Sequence, residues 1–170
     1  MTYTAAGVAG PRIVLSAPTK VPPDVVALVC VFLEPATVVL DAARRSLPAE
    51  PATPVEARSA IARGAWPRGT VAIVAEPVRT RFLTRVGGWT DRRRGVALVS
   101  TDGLDLTDAN DRARLAKIVA HEAGHVVGLR HCRRAGCLAS FAPNPSALDG
   151  LVGFCPRCRR RLSRARGSST

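Results

Sequence analysis

Methionine occurs once, as Met1, lysine twice, as Lys20 and Lys117, and aromatic residues make up 4% of the 170-residue chain. With so few aromatic rings the core has to be assembled from Val, Leu, Ile and Ala, and little is left to stack nucleobases. Long apolar runs are also missing. The longest, Val25 to Leu33, is closed by Glu34-Pro35 and falls well short of a bilayer span. No N-terminal signal is visible, because the first basic residue, Arg12, follows small residues with no apolar stretch. A cytoplasmic protein without a membrane partner is the expectation. Carboxylates are outnumbered, 13 Asp and Glu against 25 Lys and Arg, which leaves a net charge of +12 carried mainly by arginine. A basic balance favours polyanions. Arginine spread widely through an Ala-rich chain reads first as a solvated surface, however, so nucleic acid is the less favoured partner.

At 46% hydrophobic content, residues 1–170 are expected to form a single domain with a real core. Histidine is as scarce as the aromatics, yet all three histidines lie in one segment, His121-Glu122-Ala123-Gly124-His125-Val126-Val127-Gly128-Leu129-Arg130-His131-Cys132. On a helix, positions four apart share a face, so His121 and His125 can turn two imidazoles toward one ion. Glu122 stands one step round, where a carboxylate can deprotonate water rather than ligate. Gly128 permits a left-handed exit, and His131 can return from the loop as third ligand. Three protein ligands leave a zinc ion one open position, the arrangement of a catalytic site.

Downstream stand Cys132, Cys137, Cys155 and Cys158, spaced C-x4-C and C-x2-C with seventeen residues between the pairs. Two close pairs of thiols fit a closed, tetrahedral structural zinc site, and a chain without a secretion signal disfavours two disulfides. The expected cofactors are therefore two zinc ions, one catalytic and one structural. Because Cys132 follows His131, the structural ion would pin the loop that delivers the third ligand. The organisation expected is a lead-in over residues 1–10, a structural zinc segment over 132–158 and a basic tail over 159–170.

Along the chain, Arg12 to Leu15 reads as the strand that opens the sheet, and Val25 to Leu33 as a helix led in by Pro22-Pro23. Cys30 inside it is expected to be a buried small hydrophobe. Thr37 to Leu40 reads as a second strand, after which residues 42 to 50 lead to the surface. Thr53-Pro54-Val55-Glu56 has the form of a capping box opening a helix to Arg63, with Gly64 as its stop. Thr70 to Ala75 reads as a central strand buried on both faces, residues 78 to 92 as an edge region, and Gly95 to Ser100 as a further strand. The metal helix is expected from Thr107 or Asp108, with Asp111 in its first turn and Leu115, Ile118, Val119, Val126 and Val127 as its buried stripe. Strands alternating with helices ahead of one long helix suggest an α/β fold, a mixed twisted sheet with that helix packed beneath it.

From His121 through Cys158 the chain resembles the archaemetzincins, metzincin-clan peptidases with an H-E-x-x-H-x-x-G-x-x-H-C core, a C-x4-C-x-M stretch and a distal C-x-x-C. The resemblance implies an α+β, metzincin-like fold with a long active-site helix and a zinc-stapled C-terminal subdomain. It implies a catalytic zinc on His121, His125 and His131, Glu122 as general base, and a structural zinc on Cys132, Cys137, Cys155 and Cys158. One position departs from the family pattern. Cys-Val-Met-Asn-Phe-Ser is replaced by Cys137-Leu138-Ala139-Ser140-Phe141-Ala142, so Ala139 stands where the methionine floor of the metal histidines belongs. The implied activity is zinc-dependent hydrolysis of peptide bonds, with an extended peptide laid along the edge strand near residues 85 to 90. The competing expectation is a two-zinc binding module that has lost efficient catalysis and uses its Arg-rich C-terminus on nucleic acid. Oligomeric state and cleavage preference are not written in the sequence.

Overall fold

The computed structural model describes residues 2–3, 11–17, 21–41 and 55–165. Its strands form where β-branched and aliphatic residues run together. They are β1 (Thr2–Tyr3), β2 (Arg12–Ser16), β3 (Thr37–Asp41), β4 (Val55–Glu56), β5 (Thr70–Val74), β6 (Val78–Arg79), β7 (Gly88–Asp91) and β8 (Val96–Ser100). The helices are α1 (Pro23–Leu33), α2 (Ala57–Gly64), α3 (Ala109–Val126) and α4 (Pro156–Arg164), with a 3-10 turn at Pro145–Leu148.

Six strands make one sheet in the order β1-β3-β2-β5-β8-β7. The inner four are mutually parallel, and β1 and β7 close the two edges antiparallel. β5 and β8 are buried at every position, as expected of parallel strands covered on both faces. Side-chain alternation divides them between two layers. Val71, Ile73, Ala97 and Val99 join α1, α3 and the C-terminal segment in the larger core. Ala72, Val74, Val96 and Leu98 pack with Ala57, Ala60 and Ile61 of α2 and with Trp66 in the smaller one. α3 thus lies against one face of the sheet with β7 at the margin beside it.

α1 begins with Pro23 in its first turn, a position where the missing N–H costs nothing, and Val25, Val26, Val29 and Leu33 face the core. α3 is started by Asp108, whose carboxylate accepts the Asn110 and Asp111 N–H groups at 2.9 and 3.0 Å. Its buried stripe holds Leu115, Ile118 and Val119, while Val126 and Val127 are half-buried.

Several expectations need correction. Thr2–Tyr3 pairs with Val38 and Val39 as an edge strand, so the segment expected to be a lead-in contributes to the sheet and β2 lies inside it. The second helix starts at Ala57 because Val55 and Glu56 are engaged in a parallel ladder with Val78 and Arg79. Glu56 is its N-cap, accepting the Arg58 and Ser59 N–H groups at 3.2 and 2.7 Å. Thr53 and Pro54 of the expected capping box, and residues 42 to 50, lie outside the described residues. The stop is also shifted: Gly64 remains helical and Ala65 takes the left-handed conformation, with φ 46°. Cys30 is half-buried rather than buried, and burial pushes its thiol pKa up.

Candidate metal centre

α3 carries His121, Glu122 and His125 on its last turns, and Gly128 then reverses the chain with φ +95°, a conformation glycine adopts without penalty. The reversal brings His131 back to its predecessors. Ring centroids of His131 lie 5.4 Å from His121 and 4.8 Å from His125, and one nitrogen from each of the three rings lies within 4.8 Å of the others. His125 is 6% exposed, His121 is half-buried and His131 faces solvent, so the trio opens on one side.

The ring orientations are set from behind. Nδ1 of His121 lies 2.7 Å from the carbonyl oxygen of Leu138, and Nδ1 of His125 lies 2.7 Å from that of Leu129. At that separation from an acceptor each Nδ1 has to carry the hydrogen, so in the neutral ring each Nε2 presents a bare lone pair. The two Nε2 atoms face each other at 3.0 Å. Two facing lone pairs need a cation between them, and a proton is a poor one here: burial draws His125 down to about 4 and also lowers His121 and His131. A tetrahedral zinc with bonds of about 2.0–2.1 Å would set its nitrogens roughly 3.3 Å apart, close to the geometry present. The site fits a zinc ion. Arg92 adds a charged outer contact, its Nη2 donating to the Leu129 carbonyl at 2.8 Å while lying 3.0 Å from His125 Nδ1.

Glu122 is 7% exposed and turns toward β7. The Thr90 hydroxyl donates to its Oε2 and lies 3.4 Å from its main-chain oxygen. Burial pushes the carboxyl up to about 7, against the Thr90 hydrogen bond and the Arg92 charge. A group titrating near neutrality can both take and return a proton.

The four late cysteines converge behind this centre. Residues 136 to 138 run beside 152 to 153, with Leu138 N–H on the Gly153 oxygen at 2.8 Å and Val152 N–H on the Gly136 oxygen at 3.0 Å. Cys132 N–H meanwhile reaches the Ala139 oxygen at 2.9 Å. The Sγ atoms of Cys132, Cys137, Cys155 and Cys158 all lie within 4.8 Å of one another, and Cys132 and Cys155 are 4.0 Å apart. A tetrahedral zinc thiolate centre with bonds of about 2.3 Å would place its sulfurs roughly 3.8 Å apart. Arg134 N–H and Cys155 N–H point at the sulfurs of Cys132 and Cys137 at 3.5 and 3.4 Å, donors suited to thiolates. Burial raises Cys137 and Cys158. It acts the same way on Cys155, where hydrogen bonds from the Cys158 N–H and the neighbouring thiols outweigh it and lower the group to about 7. This donor set also fits zinc.

The structure therefore gathers all seven sequence-predicted ligands into two clusters and places Glu122 beside the first. What the sequence did not disclose is the supporting layer of Gly88, Thr90 and Arg92. The available signal was the alternate spacing of Gly88 and Thr90, which puts these two on one face of an extended segment, but it has meaning only once that segment is known to lie over α3.

A helix bearing H-E-x-x-H under a mixed sheet, with a third histidine returning from a glycine turn, is the arrangement seen in zinc-metallopeptidase domains. Residues 110–164 match the model of Peptidase family M54. The chain is 32% identical over 114 residues to an archaemetzincin of Thermococcus kodakarensis, covering 62% of this chain and 61% of that protein. It is 40% identical over 77 residues to one of Aeropyrum pernix, covering 44% and 42%. Among solved structures, the archaemetzincin of Methanopyrus kandleri superposes with a TM-score of 0.72 at 24% identity over 92% of this chain and 96% of that one. A zinc-dependent peptidase of Methanocorpusculum labreanum gives 0.73 at 21% over 90% and 100%. The structural likeness, at identities under 25%, establishes the fold alone, and the sequence matches make this chain similar to archaemetzincins. In sequence the chain thus spans less than two thirds of the length of these curated relatives, 61% and 42%.

Proposed function

We propose that the protein hydrolyses peptide bonds, with zinc held by His121, His125 and His131 and with Glu122 as general base. Zinc bound at those residues supplies Lewis-acid chemistry, acidifying water and polarising the amide carbonyl. Glu122 takes a proton from the attacking water and delivers it to the departing amine nitrogen. His121 and His125 keep their Nε2 atoms convergent because Leu138 and Leu129 hold the opposite ring nitrogens. A second zinc held by Cys132, Cys137, Cys155 and Cys158 would fix the far end of the loop that carries His131. Substrate lies along β7, whose outer edge is unpaired among the described residues and can add an extended peptide as one more strand. Unbridged cysteines suit a reducing compartment, in keeping with a cytoplasmic protein, and no helix among the described residues is long and apolar enough to cross a membrane.

The observation that carries this reading is the buried Glu122 carboxyl, on the same helix turn as His121 and His125, whose bare nitrogens face each other at 3.0 Å. Glu122→Ala is expected to keep its zinc and lose cleavage of a peptide library by about 100-fold or more. An unchanged rate would remove Glu122 from the mechanism.

A further inference from the structure

Glu122 is nearly enclosed, yet among the described residues its carboxylate has a single hydrogen-bond partner, the Thr90 hydroxyl, thirty-two residues away in sequence. The other carboxylate oxygen meets no donor there and abuts bare backbone. A Cβ built on Gly88 would stand 2.6 Å from Glu122 Cγ and 2.8 Å from Oε1, closer than real contacts allow. Gly88 and Thr90 are alternate residues of β7 and present the same face to α3, while Trp89 between them packs into the opposite layer. One position supplies the space for the carboxyl and the other its anchor.

We propose that Thr90 is a positioning residue for Glu122: its hydroxyl, beside the gap left by Gly88, fixes the carboxyl of the base in one place throughout the reaction. The inference rests on the reading of Glu122 as the base. A hydroxyl suits the task because it is short and directional. It donates to Oε2 and stands 3.4 Å from the Glu122 main-chain oxygen, so one side chain ties both the carboxyl and the backbone of the same residue. Serving merely to tie strand to helix would need only the main-chain contact, which is the longer of the two.

The test uses the zinc-loaded full chain as Thr90→Val, which keeps the shape and removes the hydroxyl, Thr90→Ser, which restores it, and Gly88→Ala. Three quantities are read: zinc content, kcat and KM on a peptide that the wild type cleaves, and the 13Cδ resonance of Glu122 in glutamate-labelled protein, assigned with Glu122→Gln. Thr90→Val is expected to retain zinc and KM, to lose kcat by on the order of 10- to 100-fold, and to shift the Glu122 resonance. Thr90→Ser is expected to return both to near wild-type values, and Gly88→Ala to displace the resonance with no hydroxyl removed. A Thr90→Val protein with wild-type kcat and an unmoved resonance overturns the proposal, as does equal impairment in the Val and Ser variants. Wild-type protein that cleaves no peptide overturns the peptidase reading instead, and the resonance then decides whether Thr90 holds Glu122.

Discussion

Nδ1 of His121 binds the main-chain carbonyl of Leu138 at 2.7 Å, so the segment that carries Ala139 grips the first metal ligand through its backbone. That is why an alanine at the family's methionine position leaves the histidine geometry assembled. Ala139 is 2% exposed and its own carbonyl is taken by Cys132 N–H, so the small side chain is buried on a backbone held in place.

Restoring the family residue should therefore harm rather than help. Ala139→Met inserts a long side chain at a buried position and is expected to destabilise the zinc-loaded protein by about 1–3 kcal/mol in denaturant unfolding. Its zinc content should not change. A rise in stability would mean that the floor beneath the histidines is a cavity waiting for methionine.

The cysteine cluster is expected to support the histidine centre as well as the C-terminal segment. Cys132 adjoins His131, and Cys137 lies beside the Leu138 carbonyl that orients His121. Cys158→Ser should lose one zinc per chain and lower the melting temperature, and it should also speed loss of the remaining ion to a chelator. Loss of one ion with an unaltered release rate for the other would show the two centres to be independent.

Acid should weaken the carboxylate contacts that dock α3 to the 145–148 turn. Arg114 donates to Asp149 at 2.6 and 2.8 Å and to Asp111 at 2.8 Å, and Lys117 reaches the Leu148 carbonyl at 2.9 Å. The Arg114 hydrogen bond lowers Asp149, and for Asp111 the Asp105 N–H comes first and Arg114 second. A depressed folded-state pKa gives stability that is fully present above the unfolded carboxylate value, about pH 4, and is lost as pH falls through the folded value. Asp149→Asn should thus lie below wild type in stability at neutral pH and converge on it below about pH 4. Denaturant curves across that range would show it, and a pH-independent gap would contradict it.

The candidate ligands and the candidate base were legible because metal chemistry demands particular residue types at fixed local spacing, and His121 to Cys158 supplies both sets in order. The central strands were legible for a related reason: Thr70–Val74 and Val96–Ser100 are apolar at nearly every position, as burial on two faces requires. What stayed hidden depends on partners distant in sequence. Thr53 to Glu56 has the form of a helix start, yet Val55 and Glu56 pair with Val78 and Arg79, and no local propensity encodes that ladder. Thr2–Tyr3 is too short to read as a strand until Val38 and Val39 are beside it. Thr90 is an ordinary strand threonine until Glu122 meets it.

The most direct test of the central claim is an anomalous difference map recorded at the zinc absorption edge from crystals of the protein as purified. Density at the convergence of His121, His125 and His131, together with a second peak among Cys132, Cys137, Cys155 and Cys158, is the predicted result. Absence of anomalous density between the three imidazoles of zinc-supplied crystals would contradict it.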